Sequence, residues 1–540
     1  MKTRYFGTSE KDIKEAAKII RSGGLVAFPT ETVYGLGGDA TDAGSAAKIY
    51  AAKGRPSDNP LIIHVAKAED AEKYAYTNEL YYKLTAAFCP GPLTIILPKK
   101  DTVPYEVTGG LDTVAVRIPS NKTARAFIAA CGTAVAAPSA NISGSPSPTS
   151  ADHVRSDLDG KIDGIIDGGE CEIGLESTIV KIKDGRAVIL RPGAVTEEML
   201  SRAVRVSRDA SLLEKPDDSI RPEAPGMKYR HYAPKVPVTM IKGPHEDVVA
   251  YMKKKLSDDE KTGVICLLSD KDELSGKNVT YLPEDPAGQA NSLFSTLRSY
   301  DATDAPCVYS VTPSRSGIGF AVYNRLSKAA GFRCEYVGIT IPVIGLTGQS
   351  GAGKSTAAEA FAKLGAYVCD CDAIYHELIS ENSPLSKTLE EHFPEAVKKG
   401  RVDRPALSKL VFSDKEKLRL LNSLTHSAVL DEVRDRLRKA EAEGYGFAVV
   451  DASQLFESGY DAECTAVIGV CADEEERISR ITARDGISRE AAIRRIRNQH
   501  NEDFFRVYCD MIIENRGGMK ELYGSVSAAV DKYVNGDKNE

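Results

Sequence analysis

From residue 11 to about 205, short apolar runs alternate with stretches of helical spacing. "GLVAFPT", "PLIIHVA", "LTIILP", "TVAVRIP", "TAVAAPSAN", "DGIIDGG" and "STIVKI" predict strands. "KDIKEAAKIIRSG" spaces its apolar residues as one helical face and stops at Gly, so it predicts a helix. Together these imply an α/β domain on a twisted mixed or parallel sheet. The pattern lapses at 215–235, where Pro and charge predict a linker, although the Tyr and His of "KYRHYAP" point to a functional strap. From 236 to 338 the strands "VPVTMI", "GVICLL" and "CVYSVTP" and the helix "GFAVYNRLSKAAGF" predict a small Rossmann-like α/β domain. "VGITIPVIGLTG" then opens a fresh β-run, and "AYVCDCD", "FAVVDAS" and "AVIGVCA" follow as strands between helices.

The expected organisation is therefore a catalytic domain at 1–214, a linker at 215–235, an accessory domain at 236–338 and a third α/β domain at 339–540. A length of 540 residues accommodates this at ~150 residues per domain. With 42% hydrophobic and 27% charged residues the chain has a globular composition. A net charge of -7 argues against a protein that holds nucleic acid mainly through its phosphates. The opening "MKTRYFGTSEKDIKEAAKII" lacks the apolar run of a signal peptide, and no stretch approaches the ~18 apolar residues of a membrane helix, so a cytoplasmic location is expected. Eleven Cys without a C-x-x-C pair predict reduced thiols rather than disulfides or metal ligands; Cys369 and Cys371 are expected on alternate positions of one strand.

The sharpest motif is "GLTGQSGAGKST" at 345–356. Gly348, four residues, Gly353, Lys354 and Ser355 form a phosphate-binding loop, which chance gives in about one in fifty chains this long. An apolar run precedes it and "STAAEAFAKLG" follows as a helix, so backbone N–H groups of Gly351, Ala352, Gly353 and Thr356 converge on phosphate oxygens. Lys354 is expected at the β and γ phosphates of ATP and Ser355 on Mg²⁺. Asp370 and Asp372 lie two apart at an expected strand end, which would point both carboxylates the same way. A carboxylate there can accept a proton from an acceptor hydroxyl. Arg477, Arg480, Arg484, Arg494, Arg495 and Arg497 fall on two helices broken by "DG". Most such arginines form a solvated face, but helices hinged at Gly can also close as a lid over a transferring phosphoryl group.

The loop, "DCD", "LTH" (Thr425, His426), "SQLFE" (453–457), the Arg-rich helices and "DMIIENRG" resemble dephospho-CoA kinase, in order, across 341–535. The resemblance implies a P-loop nucleoside-monophosphate-kinase-like fold with a helical lid. It also implies ATP-dependent phosphorylation of the 3'-hydroxyl of dephospho-CoA. It assigns Asp372 as general base, and Lys354 and Arg480 as stabilisers of the transferred group. The family usually shows Asp-Ala-Asp where this chain has Asp370-Cys371-Asp372, and Pro-Leu where it has Ser453-Gln454.

Before residue 340 there is no phosphate loop, no H-E-x-x-H and no G-x-S-x-G. Instead, polar clusters recur just past apolar runs: "PTETVYGLG", "KGRPSDNPLIIH", "LDTVAVR", "APSANISGSPSPT", "GLESTIV" and "LRPG". Ligand clefts form at strand ends, so six such clusters predict one shared cavity. Lys53, Arg55, Arg117 and Arg191 supply cations for phosphate or carboxylate, while Thr32, His64, Ser139, Asn141 and Ser177 add hydrogen bonds. The residues alone imply an anionic, oxygen-rich ligand.

These strings, with "PGPLT", "PGMKYRHYAP" and "SGIGFAVYNRLSKAA", resemble the long form of threonylcarbamoyl-AMP synthase, a YrdC-like domain followed by a small accessory domain, over residues 5 to about 335. The resemblance implies that ATP, bicarbonate and L-threonine give threonylcarbamoyl-adenylate and pyrophosphate. The product is the precursor of the threonylcarbamoyl-adenosine at position 37 of tRNAs, passed on to the tRNA threonylcarbamoyl transferase machinery. Thr32, His64, Arg117 and Ser177 are implied to hold threonine. Arg55, Asn59, Ser139, Asn141, Ser147 and Arg191 are implied to face ATP, with Lys53 beside the reacting groups. Tyr229 and Tyr232 are implied to close over the nucleotide. Two alternatives stay open: an RNA-binding N-terminal half, or a phosphate-loop half that senses nucleotide and regulates the first.

Overall fold

Ser9 caps the helix Glu10–Arg21 by accepting from the Asp12 backbone N–H at 3.2 Å. Ile13, Ala16, Ala17 and Ile20 line its buried face at the expected spacing and pack with Phe127 and Ile128. The structure, a computed structural model, describes residues 2–209, 212, 222–225, 231–381, 383–412, 414–497, 499–516 and 518–536. They form two compact units, one of residues 1–241 and 249–335, the other of 242–248 and 336–540.

The first unit holds two sheets. The larger is mixed and contains β1 (Arg4–Phe6), β2 (Val26–Phe28), β3 (Gly35–Asp39), β4 (Ile62–His64), β5 (Leu93–Pro98) and β6 (Thr113–Arg117). It continues through β7 (Val135–Ala137), β8 (Gly164–Ile166), β9 (Thr178–Lys183), β10 (Arg186–Arg191) and β11 (Val206–Arg208). The order is β1-β8-β2-β3-β7-β4-β6-β5-β9-β10-β11. Register sets up the site. Parallel β4 and β6 align His64 with Arg117, and antiparallel β5 aligns Thr94 with Arg117. Parallel β5 and β9 align Leu93 with Thr178, so Ser177 reaches the same edge; β10, antiparallel to β9, ends there at Arg191. One edge of the sheet thus collects polar ends from five neighbouring strands.

The smaller sheet contains β12 (Val238–Lys242), β13 (Gly263–Leu267), β14 (Val279–Leu282), β15 (Val308–Val311) and β16 (Cys334–Tyr336), in the order β14-β13-β15-β12-β16. Helices Pro286–Ser299 and Gly319–Ala329 bury Phe294, Leu297, Val322 and Leu326 in its core.

In the second unit, β17 (Val343–Gly348), β18 (Tyr367–Asp370), β21 (Ala448–Asp451), β22 (Ala466–Cys471) and β23 (Met511–Glu514) form a parallel sheet in the order β18-β21-β17-β22-β23. A short hairpin, β19 (Val397–Lys398) with β20 (Arg401–Val402), sits apart from it. Four expectations need correction here. The β-run expected from 337 begins only at Val343, just past Pro342, which has no N–H to give a ladder. The strand expected through "AYVCDCD" ends at Asp370, because that side chain accepts from the N–H groups of Asp372 and Ala373 at 2.9 and 3.0 Å and starts the helix Cys371–Leu378. Cys371 therefore begins a helix rather than alternating with Cys369 on a strand, and Asp370 and Asp372 do not share a strand face.

All eleven cysteines are free thiols, and no helix among the described residues is long and apolar enough to cross a membrane.

Candidate active sites

The polar sheet edge of the first unit opens into a pocket whose lining includes Thr30, Arg55, His64, Arg117, Ser139, Glu176 and Arg191. Every one of the six polar clusters contributes. His231 and Tyr232, from the end of the linker, line it too. Tyr229 lies outside the described residues.

Each cation is held in place before any ligand arrives. Arg117 donates to Glu31 Oε1 at 2.8 Å and to Thr32 Oγ1 at 2.7 Å, with both ion-pair partners buried. Glu31 is itself fixed by the Ser120 N–H at 3.1 Å. Arg191 donates through Nε to the Ser177 carbonyl at 3.1 Å and through Nη2 to Ser177 Oγ at 3.2 Å. Arg55 donates to the carbonyls of Asn59 and Pro60 at 3.2 and 3.0 Å. None of these contacts saturates a guanidinium, which has five N–H donors. Burial lowers Arg55 and Arg191 to about 10, still fully charged at neutral pH. The pocket therefore presents fixed positive charge on buried side chains, where it acts more strongly on an anion than it would in water.

Two residues behave differently. His64 is buried, meets Phe28 edge-on at 5.8 Å, and is depressed to about 3 by burial and by Arg117, so its imidazole is neutral and serves as a hydrogen-bonding wall. Lys53 points its Nζ at the carbonyls of Ser139 and Asn141, both at 2.5 Å, and at Asn141 Oδ1 at 3.4 Å. Its donors are spent on the 139–141 loop; burial and the Arg55 charge hold its pKa well below the usual lysine range. Ser139 Oγ donates to Asn141 Oδ1 at 2.5 Å within the same loop. Ser147 donates to Glu176 Oε1 at 2.5 Å, and Asn59 keeps a buried Oδ1 without a partner.

Glu31 and Glu176 stand inside the quoted motifs, next to Thr32 and Ser177, yet sequence reasoning passed over them. Burial works against the charge on Glu176, but Arg325 and Arg191 hold its carboxyl below the ordinary range. A carboxylate amid the cations of an anion site was the available signal: such a group orients its neighbours. Arg325, fully buried and 2.9 Å from Glu176, was invisible because the two are 149 positions apart.

The second site begins at β17. Gly348 at φ 151° and Gly353 at φ 96° carry the chain around the loop, and a Cβ on Gly348 would meet the Val470 carbonyl at 2.4 Å. The helix Lys354–Lys363 starts at Gly353, so Ser355 and Thr356 stand in its first turn. Lys354 pairs with Asp451 at the carboxyl end of β21, and its pKa is lowered mainly by burial. The loop's outer carbonyls are braced. Arg477 donates to the Ser350 carbonyl at 3.0 Å, Arg480 to those of Gly351 and Ala352 at 3.3 Å, and Asn515 to Ala352 at 2.7 Å. Gln499 accepts from the Ser350 N–H at 3.1 Å. Of the remaining lid arginines, Arg484 and Arg495 both pair with Asp485, beside the left-handed Gly486 at the break between the two helices. Asp451, Asn515 and Gln499 were not singled out from sequence; Asp451 was legible as an acidic residue ending a strand beside a phosphate loop.

Asp372 opens onto a cavity of about 300 Å³ that Tyr375, Thr425, His426, Ser453, Gln454 and Tyr460 also line. His426 Nε2 and Gln454 Oε1 meet at 2.9 Å. Phosphate loop, carboxylate and cavity thus belong to one unit. For Mg²⁺, a hydroxyl at Ser355 and a carboxylate at Asp451 are oxygen donors of the right kind, since this ion takes few protein ligands and completes its shell with phosphates and water. Among the described residues no group of three or more His, Cys, Asp or Glu is placed to hold a metal by itself.

Comparison with known proteins divides the chain the same way. Three family profiles match, described as "Telomere recombination" over residues 18–193, "Threonylcarbamoyl-AMP synthase, C-terminal domain" over 195–331 and "Dephospho-CoA kinase" over 342–521. The threonylcarbamoyl-AMP synthase of Pyrococcus abyssi is 45% identical over 331 residues, spanning 60% of this chain and 95% of that one. The dephospho-CoA kinase of Carboxydothermus hydrogenoformans is 32% identical over 197 residues, 36% of this chain and 96% of its own. The crystal structure of Pyrococcus abyssi Sua5 complexed with L-threonine matches with a TM-score of 0.58 at 42% identity, covering 62% of this chain and 100% of that one.

Proposed function

The chain belongs to the threonylcarbamoyl-AMP synthase family over its first part and to the dephospho-CoA kinase family over its last, and from that premise we infer two self-contained active sites. It is a bifunctional, ATP-using enzyme; the RNA-binding and nucleotide-sensing alternatives are not favoured. The observation that carries the separation is that the cationic pocket is built wholly from one compact unit, and the phosphate loop with its cavity wholly from the other. The domain limits proposed are 1–214, 236–338 and 339–540, with 215–235 between the first two.

In the synthase site, threonine docks against Thr32, His64, Arg117 and Ser177, and ATP against Arg55, Asn59, Ser139, Asn141, Ser147 and Arg191. The threonine amine and bicarbonate condense with loss of water to a carbamate, whose oxygen attacks the α-phosphorus as the bond to pyrophosphate breaks. No side-chain nucleophile is needed: the work is to bring anions together and to stabilise the leaving group, which fixed guanidinium groups do at no cost in reorganisation. Neutral His64 fits a wall that accepts or donates without adding charge. Lys53 acts by holding the 139–141 loop, and Tyr232 covers the nucleotide side.

In the kinase site, backbone N–H groups of the loop and Lys354 grip the ATP phosphates, and Asp372 takes the proton of the 3'-hydroxyl of dephospho-CoA as that oxygen attacks the γ-phosphorus. Arg480 leaves its loop carbonyls to meet charge on the transferred group. Ser355 and Asp451 would hold Mg²⁺, which when bound neutralises phosphate charge. The synthase product passes to the machinery that modifies tRNA, and both reactions belong to the cytoplasm.

The test incubates the protein with ATP and Mg²⁺, adding bicarbonate and threonine or, separately, dephospho-CoA, and assays both products. Arg55→Ala removes the first activity only and Lys354→Ala the second only. Loss of both from either substitution overturns the two-site reading.

A further inference from the structure

Two arginines of the accessory domain end at the synthase site. Arg325, on the helix Gly319–Ala329, is fully buried and donates through Nε to Glu176 Oε2 at 2.9 Å. Glu176 accepts from Ser147 Oγ at 2.5 Å through its other oxygen and lines the pocket. Arg298, on the helix Pro286–Ser299, grips Asp157 at 3.2 and 2.7 Å and the Pro146 carbonyl at 2.6 Å. Asp157 in turn accepts from the Ile142 N–H at 3.3 Å. Both chains of contact converge on one segment, residues 139–147, which carries Ser139, Asn141 and Ser147. Lys53 holds the start of that segment from the catalytic domain. Two more contacts seat the domain: Asn291 donates to the carbonyls of Cys171 and Glu172 at 3.0 and 2.9 Å, and Tyr232 stacks on Phe294 at 5.3 Å.

A buried charge pair is costly to assemble and is poor evidence of stabilisation in itself; such pairs fix geometry where an apolar pair would not. Arg325 keeps one buried Nη2 without a partner, so even this pair is incompletely satisfied. Its location explains it better than stability does. We propose that the accessory domain completes the synthase active site, with Arg325 and Arg298 as positioning residues that set the 139–147 segment for ATP. The proposal rests on the reading of that pocket as the ATP site. Arg325 acts through Glu176 and Ser147, and Arg298 through Asp157 and the Pro146 carbonyl; neither needs to touch substrate.

The decisive experiment is steady-state synthase kinetics on the full chain for Arg325→Met, Arg325→Lys, Ser147→Ala and the Ser147→Ala/Arg325→Met double variant, with Arg55→Ala in parallel and denaturant unfolding of the first unit as the folding reference. Arg325→Met is expected to raise KM for ATP by about 10- to 100-fold, the scale on which loss of positioning acts, with KM for threonine little changed. Arg325→Lys is expected to recover part of that loss, because it returns the charge without the guanidinium fork. In the Ser147→Ala background the Arg325→Met loss shrinks below about threefold, since the relay is already cut. An unchanged KM for ATP in Arg325→Met, or a full additional loss in the Ser147→Ala background, overturns the proposal. Retained synthase activity in Arg55→Ala overturns the reading of the pocket instead. Should Arg325→Met fail to fold, Glu176→Gln/Arg325→Met removes both charges together; a raised KM for ATP there supports the relay, and a wild-type KM overturns it.

Discussion

The chain handles ATP twice, by opposite constructions. The proposed kinase site would wrap phosphate in backbone N–H groups at one loop of consecutive residues, with Ser355 exposed and the loop braced from behind by Arg477, Arg480 and Asn515. The synthase site gathers side chains from six separated segments onto one sheet edge and buries nearly all of them, Arg55, Arg117 and Arg191 included. A backbone cradle depends little on the identity of most of its side chains and is legible as a short string. A side-chain cradle depends on every strand register and ion pair beneath it. The two sites should therefore fail in different ways.

The largest effects come from removing the defining cation of each. Lys354→Ala lowers dephospho-CoA phosphorylation by on the order of 10²- to 10³-fold, as loss of a transition-state donor does, and leaves threonine-dependent pyrophosphate release at the wild-type rate. Its Asp451 partner is then left near the loop without a counter-charge, so the ATP concentration required also rises. Arg117→Ala gives the complementary outcome plus a stability loss. Arg117 and Glu31 form a buried pair, and stripping one member leaves the other buried and charged, a cost of about 3–5 kcal/mol measurable by denaturant unfolding of the first unit. A purely catalytic defect in Arg117→Ala, with unchanged unfolding, would break the comparison.

The same contrast governs what could be read in advance. The α/β class of the three parts, the phosphate loop and the polar clusters were legible, because strand-end clusters and glycine spacing are local signals. Elements of three residues such as β1 and β11 are too short to show a period, and β3, "GLGGD", reads as loop from its glycines. The end of β18 was misread because Asp370 looks like a strand carboxylate until its capping of the next helix is considered. Glu31 and Glu176 were hidden for a different reason: their partners Arg117 and Arg325 lie 86 and 149 positions away, and a sequence gives no distance between them. In the kinase site Asp451 is readable as an acidic residue ending a strand, but its pairing with Lys354, 97 positions away, is not.

Proton linkage separates the two sites at an intermediate scale. His64 is held at about 3 against an ordinary 6.5, chiefly by burial. Between those values the unfolded chain binds a proton that the folded protein refuses, so stability of the first unit falls as pH falls below about 6.5, by up to ~1.4 kcal/mol per pH unit from this one group. Buried His231, also held well below its ordinary value by burial and neighbouring cations, adds in the same direction. Thermal unfolding from pH 7 to pH 5 checks this: the fall in Tm should be smaller in His64→Gln than in the wild type. Equal slopes in the two proteins would show that His64 is not buried neutral.

The smallest effect tests a wall of the kinase cavity where the sequence departs from the usual pattern of the family it resembles. Gln454 stands where the family has an apolar residue, and its Oε1 meets His426 at 2.9 Å on the cavity that Asp372 lines. A single exposed hydrogen bond contributes about 0.5–1.5 kcal/mol, so Gln454→Leu should change KM for dephospho-CoA by about 2- to 10-fold with kcat nearly intact. The sign is informative. If Gln454 only orients His426, KM rises and His426→Ala in the Gln454→Leu background adds little, because the pair works as a unit. If the amide instead contacts the acceptor, the two substitutions add in full. In either case synthase kinetics stay unchanged, since every residue involved belongs to the second unit. A Gln454→Leu protein with wild-type KM would show that this wall, unlike the buried walls of the synthase pocket, tolerates a change of residue without a functional consequence.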